Sequence, residues 1–153
     1  MTTDALAARL ESELYNDIPL VRALALKVSR IEPGTVEFLA PLQPNINDKG
    51  CAFGGSLASL LTLACWGVLR VETWRAHLSA DIFVHTSRLH YLRPVWENFR
   101  ISATLKADSL TDFMATYVQT GKAVAVLHAV VEAGGECAAR IEARFVAMQP
   151  KGG

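Results

Sequence analysis

The side chains best suited to acyl chemistry lie in one short polar segment, residues 44–56. Its amide and carboxylate side chains are those of Asn45, Asn47 and Asp48. The segment ends at Gly54 and Gly55, where two adjacent glycines let backbone amides approach a ligand closely. The first amides of a helix have no partner inside it and favour negative charge or a polarised carbonyl oxygen. The segment therefore predicts a binding site for a carbonyl group.

The apolar run that follows, residues 57–69, predicts a helix that other elements cover on all sides. Residues 50–69 carry no charge, which raises the possibility of a membrane span. Glycines and hydroxyls leave an apolar part of about thirteen residues, the length expected of a core helix, so we predict no membrane span. Ser56, Ser59 and Thr62 form a polar stripe that either faces a substrate channel or bonds back to helix carbonyls, which is commoner.

The elements before this helix are a short helix and a hairpin. Residues 4–16 place leucines four apart, which predicts an amphipathic helix that Pro19 closes. Residues 24–31 and 35–42 are apolar-rich runs around a Pro-Gly connection at residues 32–34, which predicts two paired strands.

Strand-like patterns dominate the chain after the central helix. They are found at residues 81–95, 99–105, 122–131 and 141–147. Residues 113–120 form a further run before Gly121, and Gly134 and Gly135 form a turn before the last strand. The predicted order is two strands, one long helix and four strands. It fits an α+β fold in which one curved antiparallel sheet wraps around a central buried helix, with a short N-terminal helix.

Composition limits the classes of protein and partner. At 153 residues, 51% of them hydrophobic, residues 1–153 predict one domain, with frayed ends at 1–3 and 150–153. Fifteen basic and fifteen acidic residues cancel, so no global field favours nucleic acid or an anionic membrane. An odd number of cysteines without paired spacing, and no signal-peptide pattern, predict a cytoplasmic setting.

Cysteine and histidine give weaker signals. Cys51 lies near the helix start, where a thiolate is favoured, so it is a minor candidate nucleophile. The four histidines show no metal-ligand spacing, and we predict no metal site; they are His77, His85, His90 and His128. Of these, only His85 is a candidate for lining a pocket.

Two motifs resemble those of the hot-dog fold thioesterases. They are Phe-Gly-Gly-Ser at residues 53–56, with the loop before it, and Tyr-Leu-Arg-Pro at residues 91–94. The loop is a long and specific match to the thioesterase family of the YiiD C-terminal domain type, and the resemblance covers residues 14–148. It implies a hot-dog fold that hydrolyses acyl thioesters of coenzyme A or acyl carrier protein. It further implies a homodimer, or a dimer of dimers, with sheets joined edge to edge and sites at the interface.

The polar residues of the loop could supply the groups that thioester hydrolysis requires. This reaction requires a polarised carbonyl, an oriented water and a group that takes its proton. We expect the Gly55 amide to bind the carbonyl oxygen, Asp48 to act as general base, and Asn47 to orient water or carbonyl, with Asn45 in support. Asn and Asp before a helix are also common caps and turn formers, so a structural role stays open. Asp81 is an alternative base if its strand reaches the site from a partner subunit.

The remaining candidates contact substrate. Around the loop they are Asn45, Phe53, Gly54, Ser56 and Thr62. For the phosphates of coenzyme A, which enters only as part of the substrate, they are Arg88, Arg93 and Lys122. No other cofactor is expected. Docking of a carrier protein would need a basic patch, which the balanced composition neither shows nor excludes.

The sequence departs from better characterised relatives at two positions. In the phenylacetyl-CoA thioesterase branch, a His precedes the two glycines and an Asp lies nine residues further along as base or nucleophile; here these positions hold Phe53 and Thr62. Since Thr62 cannot act as a carboxylate, a non-catalytic acyl-CoA binding or regulatory module is the main alternative. A hot-dog dehydratase is less favoured because no His-Phe-Pro type motif is present.

Overall fold

A computed structural model describes residues 1–151 and contains a six-stranded antiparallel sheet. The strands are β1 (Lys27–Glu32), β2 (Thr35–Ala40), β3 (Asp81–Tyr91), β4 (Phe99–Thr104), β5 (Lys122–Ala133) and β6 (Glu136–Met148). The helices are α1 (Thr3–Asp17), α2 (Leu20–Leu24), α3 (Gly54–Arg75) and α4 (Ala107–Thr120). The strand order across the sheet is β1-β2-β4-β5-β6-β3, so β1 and β3 form its two edges.

The sheet wraps around α3, as the sequence predicts. Along β5 every second residue is buried, the alternation expected of a strand with one face on a core and one in solvent. The helix packs against β2, β3, β4, β5 and β6. Its length and composition alone would suffice to cross a membrane, as is also true of core helices in soluble proteins. Leu60, Leu61 and Leu69 are fully buried inside the sheet, which identifies α3 as the core helix.

Helix α1 begins where a side chain caps it. The Thr2 hydroxyl accepts a hydrogen bond from the Ala5 amide at 3.1 Å, which satisfies one free amide of the first turn. Leu6, Leu10 and Leu14 are buried on one face. The predicted N-terminal helix is therefore confirmed.

The first strand of the hairpin begins later than the sequence predicts. The predicted run starts at residue 24, but Leu24 is the last residue of α2, and β1 begins at Lys27. Ala25 adopts a left-handed conformation, φ 56°, which reverses the chain between the helix and the strand. The pairing of β1 with β2 across the Pro-Gly turn is as predicted.

Helix α4 is not among the predicted elements. Its core-facing residues, Leu110, Phe113, Met114 and Tyr117, have helical spacing, and the aromatic pair is buried. Gly121 ends the helix in a left-handed conformation, φ 77°, and its amide donates to the Tyr117 carbonyl at 2.8 Å. Gly121 thus caps a helix before β5.

The two sheet edges differ. At β1, side chains of α1 satisfy the edge backbone: the Val28 amide donates to the Glu11 carboxylate at 2.8 Å, and the Tyr15 hydroxyl donates to the Leu26 carbonyl at 2.7 Å. On β3, nine of the eleven residues are exposed. A long, uncovered edge strand is a ready template for pairing with another chain.

Candidate active site

The polar loop before α3 closes into a tight turn. The Gly50 amide donates to the Asn47 carbonyl at 3.2 Å, and the Lys49 amide donates to Asn47 Oδ1 at 2.8 Å. Asn at the first position of a turn and Gly at the fourth, here with φ 88°, fit this geometry. Asp48 and Lys49 consequently lie at the tip of the turn.

Asp48 faces solvent in the single chain. Its side chain is 80% exposed and pairs with Lys49 Nζ at 3.1 Å. The hydrogen bond from Lys49 and its positive charge lower the pKa of the Asp48 carboxyl. The carboxylate therefore stays ionised at neutral pH, and within residues 1–151 its side-chain hydrogen bonds go to Lys49.

The two asparagines hold the loop in place. The Asn45 side chain is buried, and its Nδ2 donates to the carbonyls of Leu24 and Pro41, both at 2.9 Å. Its Oδ1 has no hydrogen-bond partner in the described chain. Asn47 Nδ2 donates to the Cys51 sulfur at 3.2 Å, so both ends of the Asn47 amide are used inside the turn.

The start of α3 presents free backbone amides. Phe53 precedes the helix in an extended conformation and provides no side-chain cap. The first helical hydrogen bond runs from the Leu57 amide to the Phe53 carbonyl at 3.1 Å. Within residues 1–151, the amides of Gly54, Gly55 and Ser56 have no hydrogen-bond acceptor. They lie at the positive end of a 22-residue helix, where an anionic oxygen is favoured.

Two aromatic rings flank these amides. The Phe53 ring lies over Gly55, where an added Cβ would come within 2.4 Å of Phe53 Cε2. The Tyr91 ring lies against Gly54, and its hydroxyl is 3.4 Å from the Gly54 carbonyl oxygen. The Ala52 amide also donates to the Val95 carbonyl at 2.9 Å. The two sequence motifs therefore meet at one place, a contact that their separation in the sequence does not predict.

Comparison with known proteins identifies the family. The model of the family described as "Putative thioesterase (yiiD_Cterm)" matches residues 7–149. The chain belongs to this thioesterase family. The family match supports thioester hydrolysis as the general activity, and the resemblance predicted from the two motifs is confirmed.

Solved structures agree on the fold. A protein of unknown function from Chlorobaculum tepidum superposes with a TM-score of 0.90 at 24% identity, covering 97% of this chain and 98% of its own. A thioesterase described as putative, from Shewanella oneidensis, gives 0.86 at 25% identity, covering 96% and 99%. A Pseudomonas aeruginosa protein described as a probable thioesterase gives 0.79 at 23% identity, covering 94% and 96%. The predicted hot-dog fold is confirmed.

Helix α3 of this thioesterase family member carries no carboxylate near its start. Thr62 donates its hydroxyl to the Ala58 carbonyl at 2.8 Å, a bond back to the preceding turn. Ser56 is half-buried at the helix start beside the free amides. The polar stripe therefore presents hydroxyls only.

The three basic residues predicted to contact the phosphates of coenzyme A do not lie together in the structure. Arg88 lies within β3, whereas Arg93 follows the strand and forms an ion pair with Glu136. Lys122 and Asp81 both lie opposite Met148, at the start of β3. An extended strand of ten residues spans roughly 30 Å, which separates this end of the sheet from Tyr91.

The cysteines and histidines form no reactive cluster. Cys51 is buried, and its sulfur accepts a hydrogen bond from Asn47. Cys65 is also buried, which raises the pKa of its thiol to about 12. His85 lies on β3 at a break in the pairing with β6, and His128 contacts Glu142 at 3.2 Å. No group of His, Cys, Asp and Glu within the described residues is arranged to hold a metal ion.

Proposed function

We propose that the protein hydrolyses acyl thioesters whose carbonyl oxygen is bound at the start of α3 by the Gly55 amide, with the neighbouring amides in support. The observation that carries this proposal is the set of free amides between Phe53 and Leu57. Backbone donors aimed at the oxygen that becomes negative lower the barrier, and losing one such donor typically costs about 10²–10³ in kcat.

The surroundings of the amides suit an acyl group. Four large apolar side chains near the helix start are exposed: Ile46, Phe53, Tyr91 and Trp96. The Ile46–Ala52 bridge and the bond from Ala52 to Val95 draw these segments together. Apolar walls would exclude water around the thioester and strengthen its hydrogen bonds to the amides.

We further propose that the site is completed in a homodimer joined through β3. The support is the contrast between the capped edge at β1 and the exposed edge at β3. Tyr91, which ends β3, contacts the helix start, so an interface along this strand would lie beside the free amides. Pairing two β3 strands would place groups of one subunit close to the site of the other.

Within that arrangement Asp48 takes the proton of the attacking water. The water oxygen bonds to the acyl carbon, the carbon–sulfur bond breaks, and the thiol leaves with a proton. Because Asp48 faces solvent in a single chain, the role requires that substrate binding or the partner subunit bring the acyl carbon close to a water held by Asp48. The alternative base is Asp81, which lies at the far end of β3 in its own chain and would have to reach the site from the partner subunit.

A second candidate function is a non-catalytic acyl-CoA binding module. Thr62 stands where a carboxylate acts in better characterised relatives, and its hydroxyl is bonded to Ala58. Such a module would use the same amides to hold the thioester without a base.

Turnover of a panel of acyl-CoA and acyl-carrier-protein thioesters separates the two functions. Hydrolysis that releases free thiol, detected with a thiol reagent, supports the enzyme. Ligand-induced thermal shift without release of thiol for any member of the panel would favour the binding module.

A further inference from the structure

Three arginines share the solvent-exposed face of the sheet on β3 and β6. Arg88, Arg140 and Arg144 are all exposed. In the strand register Arg88 lies opposite Glu142, between Arg140 and Arg144 on β6. We call Arg88, Arg140 and Arg144 the arginine cluster.

The arginine cluster differs from the other half of the same face. Across β1, β2 and β4, Glu37 lies within salt-bridge distance of both Arg30 and Arg100, at 3.5 and 3.7 Å. Within residues 1–151, by contrast, none of the clustered arginines has a carboxylate oxygen within 4.0 Å. In a chain with no net charge, this leaves a local excess of unpaired positive charge.

The surface at the arginine cluster is concave. A cavity of about 260 Å³ is lined by Thr86, Ser87, Arg88, Val126, Glu142 and Arg144. One row further along, Phe83 and Val124 lie on either side of Val146 and are exposed. Guanidinium groups suit phosphate oxygens, and an exposed aromatic ring offers a stacking surface for a base.

The arginine cluster begins next to the helix start. Tyr91, which touches Gly54, lies opposite Ala139, and Arg140 is the next residue of β6. Arg88 lies three residues before Tyr91, about 10 Å along the strand. A flexible arm that leaves the free amides and passes around the end of β3 would therefore reach the arginines.

We propose that the arginine cluster binds the phosphates of the coenzyme A nucleotide, with the adenine against Phe83. This inference rests on the proposed function and names coenzyme A as the carrier. A concave pocket with an adjacent apolar surface fits a nucleotide better than the broad face of an acidic protein. Glu142 lies between these arginines, and its carboxylate repels the phosphates and lowers their affinity for the cluster.

The test compares coenzyme A with pantetheine, which has the same arm but no nucleotide. Binding is measured calorimetrically on the full chain. The double variant Arg88→Gln/Arg144→Gln should weaken coenzyme A binding about tenfold and leave pantetheine within about twofold. Glu142→Gln should strengthen coenzyme A binding two- to threefold, about the effect of one exposed charge pair. Arg22→Gln, an exposed arginine on α2, is the matched control and should change neither ligand.

The outcomes separate this inference from the proposed function. If the wild-type chain hydrolyses acyl-CoA and the double variant keeps the same KM, the arginine cluster is not the nucleotide site although the hydrolase proposal stands. If coenzyme A binds through the arginines but no thioester is hydrolysed, the hydrolase proposal fails and the nucleotide site survives. If the substitutions weaken only an acyl-carrier-protein substrate, the cluster docks an acidic protein and the inference is overturned.

Discussion

The ring of Tyr91, the last residue of β3, lies against Gly54, the first residue of α3, with the phenol oxygen 3.4 Å from the Gly54 carbonyl oxygen. This contact ties the open edge strand to the helix whose first amides are free. If β3 moves when it pairs with another chain, the contact between Tyr91 and Gly54 would also shift those amides.

We expect Tyr91 to act as a positioning residue. Tyr91→Ala removes the ring that supports Gly54 and should lower kcat about ten- to a hundredfold, since small misplacements of catalytic groups are costly. Tyr91→Phe keeps the ring and loses only a long hydrogen bond, so its kcat should stay within about threefold. Steady-state kinetics check both. Equal losses in the two variants would point instead to the hydroxyl as a substrate contact.

Phe53 and Gly55 should be coupled. Gly55→Ala places a Cβ where the Phe53 ring lies, so the ring must move off the helix start. We expect a loss of about tenfold in kcat/KM. Adding Phe53→Ala relieves the clash, so the double variant should lose less than the two single effects combined. Gly54→Ala is the control, because its Cβ would make an ordinary contact with Tyr91 at 3.5 Å. Additive effects would show that the ring does not control the amides.

The sequence predicts the core architecture because buried apolar residues recur at the spacing of a strand or a helix. Alternation marks the strands, and the charge-free stretch marks α3. The sequence does not predict helix α4 because Phe113 and Tyr117 lie in an apolar run beside Gly121, which also fits a strand and a turn. The contact between Tyr91 and Gly54 joins residues 37 apart in sequence, and local patterns carry no information on such pairs. The exposure of Asp48 follows from a turn whose Asn and Gly were visible in the sequence.

Asp48 provides a test of the base through pH dependence. Because Lys49 lowers the pKa of Asp48, its carboxylate stays ionised as pH falls, and its basic form is lost only below the usual range near 3.9. If Asp48 is the base, kcat/KM should show no acid limb between about pH 5 and 8. Asp48→Asn should reduce turnover by about 10²–10⁴ and leave Tm unchanged, since the side chain is exposed.

The outcome that removes Asp48 from the mechanism is simple. Full turnover by a folded Asp48→Asn variant would transfer the role to another group, with Asp81 the first to examine. Lys49→Gln is the companion variant, because it removes the pairing charge and should raise the pKa of Asp48 without removing the carboxylate.

The edge strand β3 should control assembly. Thr86 and Ser87 are exposed near its middle, and Thr86→Lys/Ser87→Lys adds like charges beside Arg88. Lysines on an edge strand oppose pairing, so the mass measured by light scattering should fall from dimer to monomer. Val118→Lys on α4 is the control, since Val118 is already 69% exposed and α4 packs mainly against β5. Because Thr86 and Ser87 also line the cavity at the arginine cluster, turnover is measured on an acyl-pantetheine, which lacks the nucleotide; if the partner completes the site, it should fall with the mass. A monomeric double variant with full activity would show that one chain suffices for catalysis.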